Sequence, residues 1–411
     1  MKIAVMGCGT VGSGAVEISS EFSEMLAKRC YEEGFEVKYI LDIRDLSDKP
    51  YASKAVKDIN VILNDPEVKI VVETMGGVEP AFTFCIKCMN AGKSVVTSNK
   101  QLVAEKSDEL FAAAKKNNVC FRFGAAVCGG IPVIRTLFTG MAADETESFY
   151  GILNGTTNFI LTKMIDEKMS FESALKTAQE LGYAEKDPTA DVEGFDACRK
   201  TSILASIAFG KHILPDEIHT EGITSVTLED AAYADDFGAK IKLLGRAAKR
   251  PDGMINAMVS PVLVKNDKLI SGVKGVFNAL CVTGKKTGEI MMYGQGAGKD
   301  ATASAVMADV LDCARDGKFT PVYSWENGTG DSVADYLENE TALYVRGYSK
   351  DKNAALTGIR EAFGGIKVLS RENAPENETA FVTGKDTEAV LRETLAELKD
   401  FAPASVIRII D

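Results

Sequence analysis

Through the first 130 residues, short apolar and β-branched runs alternate with amphipathic stretches. Lys2–Met6, Val37–Ile43, Val68–Glu73, Ser94–Thr97 and Val119–Gly124 read as strands, and Gly12–Glu33, Tyr51–Asn64, Pro80–Ala91 and Lys106–Asn117 as helices. Strand, helix, strand at this spacing predicts a parallel sheet with right-handed crossovers, hence a doubly wound α/β domain. From about 131 to 320 the texture shifts to longer helical stretches with strand runs such as Met254–Val264 and Gly275–Val282. The stretch Asn327–Asp331 reads as linker. Beyond it the pattern predicts strands Thr341–Tyr348, Ile366–Arg371, Thr379–Thr383 and Ser405–Ile410 with helices Asn353–Phe363 and Thr387–Asp400. That βαββαβ order is a ferredoxin-like module.

Composition narrows the chemistry. The 411 residues are 45% apolar and 26% charged, ordinary for a soluble globular protein of two or three domains. A net charge of −12 argues against nucleic acid or an anionic membrane as partner. Met1 leads straight into a strand-like run, so no signal peptide is expected, and no window holds the roughly 20 apolar residues of a membrane span. Nine Cys scattered through apolar segments suit free thiols in a reducing cytoplasm. Cys85 and Cys88 have redox spacing, but they sit in a helix-like stretch without a second pair, which favours a structural reading. With only His212 and His219 present, proton transfer is expected to rest on Lys, Asp or Glu.

The first strand runs into Gly7-Cys8-Gly9-Thr10-Val11-Gly12 and then a helix. Here the first glycine permits a tight turn, the second lets backbone approach a pyrophosphate, and the third lets helix and strand pack closely. Free N–H groups and the dipole of the helix N-terminus complete an anion site. A chance glycine turn is the alternative, and the sustained βαβ series speaks against it. At the end of the second strand stand Asp42, Arg44 and Asp45. An acid there favours the ribose diol of NAD and an arginine the 2′-phosphate of NADP. The signal is split between those and plain solvated charges, with a lean to NADP through Arg44. Thr74, in the small polar crossover Glu73–Gly77, and Ser98 and Lys100 lie at strand ends where such sheets bind ligands. Lys100 could reach a nicotinamide or carboxylate, or could be a surface lysine.

The densest unusual segment is 182–200, with Glu185, Asp191 and Asp196 leading to Lys200. On a helix from about Gly194 through Phe209, Asp196 and Lys200 share a face. One reading is a solvent-facing salt bridge of little consequence. The following Ile203, Leu204 and Ile207 favour the other, a buried lysine held by an acid as an oriented proton donor. Glu185 and Asp191 suit an ammonium-bearing substrate.

These residues, in this order, resemble homoserine dehydrogenase. The resemblance rests on the glycine loop, Val95–Lys100, Gly129–Pro132, Gly151–Ile160, the 182–200 block, and Gly294–Gly298 with Thr302–Ala305. It implies reversible NAD(P)-dependent reduction of aspartate 4-semialdehyde to homoserine in threonine and methionine biosynthesis. It further implies Lys200 as proton donor, Asp196 as its orienting acid, and Lys100 as a second catalytic candidate. Glu185, Asp191, Asp196, Gly155 and Thr156 would bind substrate. Gly7, Gly9, Thr10, Val11, Gly12, Arg44, Thr74, Ser98, Lys100 and Gly298 would bind cofactor.

The implied organisation is an N-terminal Rossmann domain at 1–130, completed by 300–322, an α+β catalytic and dimerisation domain at 131–320, a linker at 321–340, and an ACT-like regulatory module at 341–411. A homodimer follows, with a homotetramer as the alternative. Two departures stand out. Members of the family often bind a monovalent cation such as sodium through a Glu where this chain has Gly124, leaving only backbone oxygens of Val127, Gly129 and Ile131, so weak or no occupancy is expected. The ACT-like module lacks the usual Pro-Gly-Val start of its first helix, having Lys352-Asn353-Ala-Ala-Leu356, which puts amino-acid sensing in question. Two other functions fit parts of the pattern: a reductase of another amino-acid-derived aldehyde, and a dinucleotide-binding amino-acid sensor without turnover. The intact Glu185/Asp191/Asp196/Lys200 set argues against the sensor.

Overall fold

The computed structural model describes residues 1–320 and 324–410. Residues 321–323, where the expected linker begins and the expected 300–322 return ends, and Asp411 lie outside the described residues. The fold is mixed α/β and divides into two compact units. The first comprises Met1–Glu147, Ser202–Pro215 and Thr283–Gly330, and the second Ser148–Thr201, Asp216–Val282 and Asp331–Asp411.

In the first unit, β1 (Lys2–Met6), β2 (Glu36–Leu41), β3 (Ala55–Val56), β4 (Val68–Glu73), β5 (Ser94–Thr97) and β6 (Phe121–Arg122) form a parallel sheet in the order β3-β2-β1-β4-β5-β6. Its strands are near-continuous apolar runs, as a sheet covered on both faces demands. The order reverses beside β1, so the glycine loop opens at the switch point where such sheets bind ligands. The helix Lys299–Asp316 packs on Thr10–Glu21, where a Cβ at Gly14 would lie 2.8 Å from that of Ala303.

Several element boundaries differ from the periodicity reading, each for a local reason. The expected helix 12–33 breaks into Thr10–Glu21 and Ser23–Arg29, with the Ser23 hydroxyl bonded to the Phe35 carbonyl at 2.7 Å. The expected helix 51–64 survives only as Ile59–Leu63, started by the Asp58 carboxylate, which accepts from the Asn60 N–H. The preceding residues instead supply edge strand β3. The helix expected from Lys106 starts at Lys100, because the Asn99 side chain accepts from the Leu102 N–H.

In chain order the remaining strands are β7 (Thr146–Ile152), β8 (His219–Thr220), β9 (Ala239–Lys249), β10 (Ile255–Lys265), β11 (Phe277–Gly284) and β12 (Gly288–Gln295), then β13 (Glu340–Tyr348), β14 (Lys367–Leu369), β15 (Glu378–Val382), β16 (Asp386–Thr387) and β17 (Ala402–Ile410). The second unit is built on a mixed sheet running β11-β7-β9-β10-β17-β13-β15-β14. β9 and β10 are long antiparallel partners, whereas β17 joins β10 in parallel. Helices Lys352–Phe363 and Glu388–Ala396 cover the last four strands of that path over Leu343, Val345, Ile359, Phe381, Leu391 and Leu395.

Among the described residues no helix is long and apolar enough to cross a membrane. All nine cysteines are buried thiols outside any disulfide. Burial pushes the Cys88 thiol up to about 12 and Cys85 well above the usual thiol range.

Candidate active site

Two constellations carry chemistry, one in each unit. In the first, Gly7 adopts φ +86° and donates its N–H to the Leu41 carbonyl at 2.8 Å, a left-handed turn that glycine adopts without strain. A Cβ at Gly12 would collide with the Gly7 carbonyl oxygen and lie 2.7 Å from Thr74 Oγ1. A Cβ at Gly9 would meet nothing within 4 Å. Gly9 caps the helix Thr10–Glu21, whose first turn carries neither a side-chain cap nor an acidic residue. The hollow at Gly9 and the uncapped N–H groups of the Thr10-Val11-Gly12 turn fit a dinucleotide pyrophosphate.

Thr74 locks this loop, its hydroxyl bonding the Gly7 carbonyl at 2.5 Å. Because overpacking of this kind costs about 1–3 kcal/mol, Gly12→Ala is expected to weaken NADPH binding about tenfold or more. Fluorescence titration measures it, and an unchanged affinity would refute the role given to the loop.

At the end of β2, Asp42 is buried and fully engaged. Its carboxylate accepts from the Cys8 N–H at 2.6 Å, the Arg44 N–H at 2.8 Å, and Arg44 Nε and Nη2 at 3.0 and 2.6 Å. The Arg44 guanidinium, more than half exposed, holds that carboxyl well below the usual carboxylate range. Asp45 serves its own turn, bonding Ser47.

At the ends of β4 and β5, buried Glu73 accepts from the Thr97 hydroxyl and from the Met75 N–H at 2.7 Å. Burial raises its pKa. The Ser98 N–H reaches the Glu73 carbonyl at 3.3 Å. Half-buried Lys100 opens the helix that Asn99 caps, and Asn99 is tied to the Gly77 carbonyl at 2.5 Å. Gly298, at φ +112°, caps the helix Lys299–Asp316.

At Gly124 the backbone N–H donates to Asp309 at 2.6 Å, and a Cβ there would lie 2.7 Å from the same carboxylate. Burial pushes Asp309 up to about 7. The Ile131 carbonyl already accepts from the Val133 N–H at 2.7 Å. Among the described residues no group of three or more His, Cys, Asp or Glu is placed to hold a metal ion. Val127, Gly129 and Ile131 therefore have no charged ligand at position 124 to join them.

The second constellation lies around Lys200. The helix Phe195–Phe209 carries Asp196 and Lys200 one turn apart, and both are buried. Lys200 Nζ lies 2.8 Å from Asp196 Oδ2 and donates to the Leu153 carbonyl at 2.7 Å. Asn154 joins the cluster: its Nδ2 donates to Asp191 Oδ1 at 2.7 Å and Asp196 Oδ2 at 2.8 Å. Its Oδ1 caps the helix Gly155–Glu167 through the Thr157 N–H at 2.8 Å. Burial first, then the like charge of Asp196, raises the Asp191 pKa. The Thr156 hydroxyl bonds the Tyr183 carbonyl at 2.8 Å, pinning the loop that leads to Glu185. Gly155 cannot carry a side chain, since its Cβ would lie 2.7 Å from the Val276 carbonyl oxygen.

The second unit thus brings Asp191, Asp196, Lys200, Gly155 and Thr156 together, while Glu185 stands exposed on its loop. Asn154, the Leu153 carbonyl and Glu73 are hydrogen-bonded groups of these two constellations that motif reading passed over. Asn154 carried a signal, an Asn directly before a helical run. Leu153 and Glu73 carried none, since a backbone oxygen has no residue identity and Glu73 reads as the last residue of a strand.

Both histidines are committed elsewhere. His212 is buried between the Ala104 carbonyl at 2.9 Å and Asp108 at 3.0 Å. His219 stacks on Tyr336 at 3.7 Å and bonds Glu221.

Comparison with known proteins decides what this pairing of sites belongs to. A homoserine dehydrogenase family model matches residues 132–311, and the model of that family's NAD-binding domain matches 7–124. The chain belongs to the homoserine dehydrogenase family. It is 37% identical to the homoserine dehydrogenase of Pseudomonas aeruginosa over all of this chain and 98% of that protein. It is 43% identical to that of Helicobacter pylori over 87% of this chain and 84% of the relative. A crystal structure of a homoserine dehydrogenase from Thiobacillus denitrificans superposes with a TM-score of 0.91 at 34% identity, covering 100% of this chain and 98% of that one. A hyperthermophilic archaeal homoserine dehydrogenase mutant, solved with NADPH, matches at a TM-score of 0.65 and 28% identity over 77% of this chain and 98% of its own. The activity is the NAD(P)-dependent interconversion of aspartate 4-semialdehyde and homoserine, an oxidoreductase reaction at a CH–OH group. It serves threonine and methionine biosynthesis.

Proposed function

We propose that Lys200 is the proton donor of this reaction, Asp196 its positioning acid, and Asn154 the residue that fixes both acids. A nicotinamide cofactor held by the Gly7–Gly12 loop, Thr74, Ser98 and Lys100 would supply or take the hydride at C4 of the semialdehyde. In the reducing direction the Lys200 ammonium gives its proton to the developing alkoxide, and in the oxidising direction the neutral amine takes it back. What supports this is the seat of Nζ between Asp196 Oδ2 and the Leu153 carbonyl, at 2.8 and 2.7 Å in a buried pocket of side chains. A lysine clamped on two sides has little freedom and presents its ammonium in one direction. Asp191, half-buried beside it, and Glu185, on the loop pinned by Thr156, are assigned to the substrate ammonium. Lys100 is assigned to the nicotinamide end of the cofactor, near Ser98. The test is homoserine-dependent reduction of NADP⁺ and NAD⁺ by the purified protein at alkaline pH. Absence of both would overturn the assignment.

The cofactor preference proposed is NADP. Asp42, which could have received a ribose 2′-hydroxyl, is already saturated by Arg44 and Cys8, and the exposed guanidinium of Arg44 can add a 2′-phosphate. A hydrogen bond to a charged group contributes about 1.5–3 kcal/mol. Arg44→Ala is therefore expected to weaken NADPH by roughly 10- to 100-fold. NADH affinity should hold or improve, because Asp42 is released. An equal loss for both cofactors would refute the preference. No step is routed through a cation, since position 124 supplies no charged ligand and weak or no occupancy is expected at the backbone oxygens of Val127, Gly129 and Ile131.

For 341–410, a ferredoxin-like, ACT-like module is supported by the order β17-β13-β15-β14 with two covering helices. A cytoplasmic homodimer is the assembly proposed, with a homotetramer as the alternative. Buried thiols outside any disulfide support the reducing compartment.

A further inference from the structure

The last residue of β4 is an acid to which the proton and hydride steps assign no role. Glu73 is wholly buried. In the sheet it stands level with Met6 on one side and Thr97 on the other. Met6 runs into the glycine loop, and Thr97 runs into Ser98 and Lys100. The Glu73 carboxylate closes a ring of hydrogen bonds between the crossovers that follow β4 and β5. Its Oε1 accepts from the Met75 N–H at 2.7 Å, and its Oε2 from the Thr97 hydroxyl at 2.5 Å. Thr97 Oγ1 accepts in turn from the Asn99 N–H at 2.9 Å, and Asn99 Nδ2 donates to the Gly77 carbonyl, two residues beyond Met75. The neighbouring Thr74 hydroxyl reaches the Gly7 carbonyl. One buried carboxylate is thus wired to all three loops at this edge of the sheet.

The ring suits an anion. Four donors converge on it, the Thr97 hydroxyl, the Met75 and Gly76 N–H groups and the Asn99 side chain, and each favours the ionised form, whereas burial opposes it. Among the described residues Glu73 has no ion-pair partner. A buried charge that is hydrogen-bonded but lacks a counter-ion is costly to keep, and such groups cluster where a site uses the charge. The edge of the sheet at which it is held is the one where a dinucleotide lies.

We propose that Glu73 is the counter-charge of the oxidised nicotinamide ring, a buried anion in the cofactor wall that favours NADP⁺ over NADPH. The proposal rests on the reading that Ser98 and Lys100, at the end of β5, serve the nicotinamide end of the cofactor. The oxidised ring is a cation and the reduced ring is neutral, so a fixed anion in a water-poor wall attracts one and is nearly indifferent to the other. When hydride leaves the reduced ring for C4 of the semialdehyde, positive charge grows on the ring, and Glu73 stabilises that charge without touching a reacting atom. It is a positioning residue, acting through its field and through the loops it ties together.

The test is calorimetric titration of the full chain and of Glu73→Gln with NADP⁺ and, separately, with NADPH. Glutamine keeps the length of the side chain and an acceptor for the Met75 N–H while removing the charge. The variant is expected to bind NADP⁺ about tenfold more weakly and NADPH within twofold of wild type. A brace without an electrostatic role loses both affinities alike, so the ratio of the two constants separates the cases. Equal losses, or no loss, in the folded variant would overturn the proposal. If Glu73→Gln does not fold, the wild type decides the matter with the benzamide analogue of NADP⁺, which keeps the planar carboxamide ring without its charge. That analogue is expected to bind about tenfold more weakly than NADP⁺, and equal affinity would overturn the proposal. A wild type that bound neither NADP⁺ nor NADPH would instead overturn the cofactor reading beneath it, an outcome distinct from binding both with an unshifted ratio.

Discussion

Lys200→Ala is expected to lose about two to four orders of magnitude in kcat, the contribution of a positioned general acid, while its NADPH dissociation constant stays within twofold of wild type. The separation follows from the layout. The nucleotide features, Gly7 to Gly12 with Thr74 and Arg44, belong to the first compact unit, and Lys200 with Asp196 and Asn154 to the second. A purely structural lysine gives a different result. Its removal would leave Asp196 buried with the Asn154 amide, lower the unfolding midpoint, and spare turnover in whatever fraction stays folded. Steady-state kinetics and thermal melts on one preparation separate the cases. Wild-type turnover from a folded variant would end the Lys200 assignment and move it to Lys100. Lys200→Arg is not expected to rescue, because a guanidinium does not give up its proton in this pH range. The sign of the pH response follows from the same roles. Reduction needs the ammonium and homoserine oxidation the amine, so the two directions are expected to respond to pH with opposite signs.

Much of this was legible in the chain itself. The glycine loop, the alternation of apolar runs and the 182–200 block each depend on local pattern, and local pattern is what a sequence displays. The family and its reaction followed from residues in order. What escaped was set by tertiary partners. Arg44 and Asp42 looked like rival determinants of cofactor choice, but in the fold they are one ion pair that neutralises the acid and leaves the cation outward. Gly124 looked like a lost ligand, and the fold sets the Asp309 carboxylate of a distant helix against its N–H. The break at Phe22 and the conversion of 52–56 into a 3-10 turn and edge strand came from contacts with Phe35 and β2 that no local period encodes. Asn154 shows the middle case. Its cap position was readable, but its grip on Asp191 and Asp196 spans 37 and 42 residues of chain.

The largest stability effect is expected at Arg408. Its side chain is about 1% exposed on β17, and its guanidinium makes four bonds, to Glu388 at 2.6 and 2.7 Å and to Glu221 at 2.9 Å twice. Arg408→Met removes the charge and keeps much of the volume. Glu388, wholly buried, is then left to Arg392 alone, and breaking one partner out of a buried network costs roughly 3–5 kcal/mol. A drop in the thermal midpoint of more than about 5 °C is expected. Adding Glu221→Gln and Glu388→Gln to Arg408→Met should recover much of the loss, because a network replaced whole leaves no stranded charge.

The acid limb offers an independent check. Burial works to raise the Glu221 carboxyl, but the bonds from Arg408 and then His219 outweigh it and hold the group at about 2, below its ordinary 4.5. A carboxyl depressed by folding contributes stability above its unfolded value, and that contribution is lost as pH falls toward the folded one. The wild type should therefore shed stability between about pH 4.5 and 2 more steeply than Arg408→Met, in which Glu221 has already lost its main partner. Parallel acid limbs for the two proteins would show that the Arg408 pairs do not set the Glu221 titration, and the network would then have to be held by packing rather than charge.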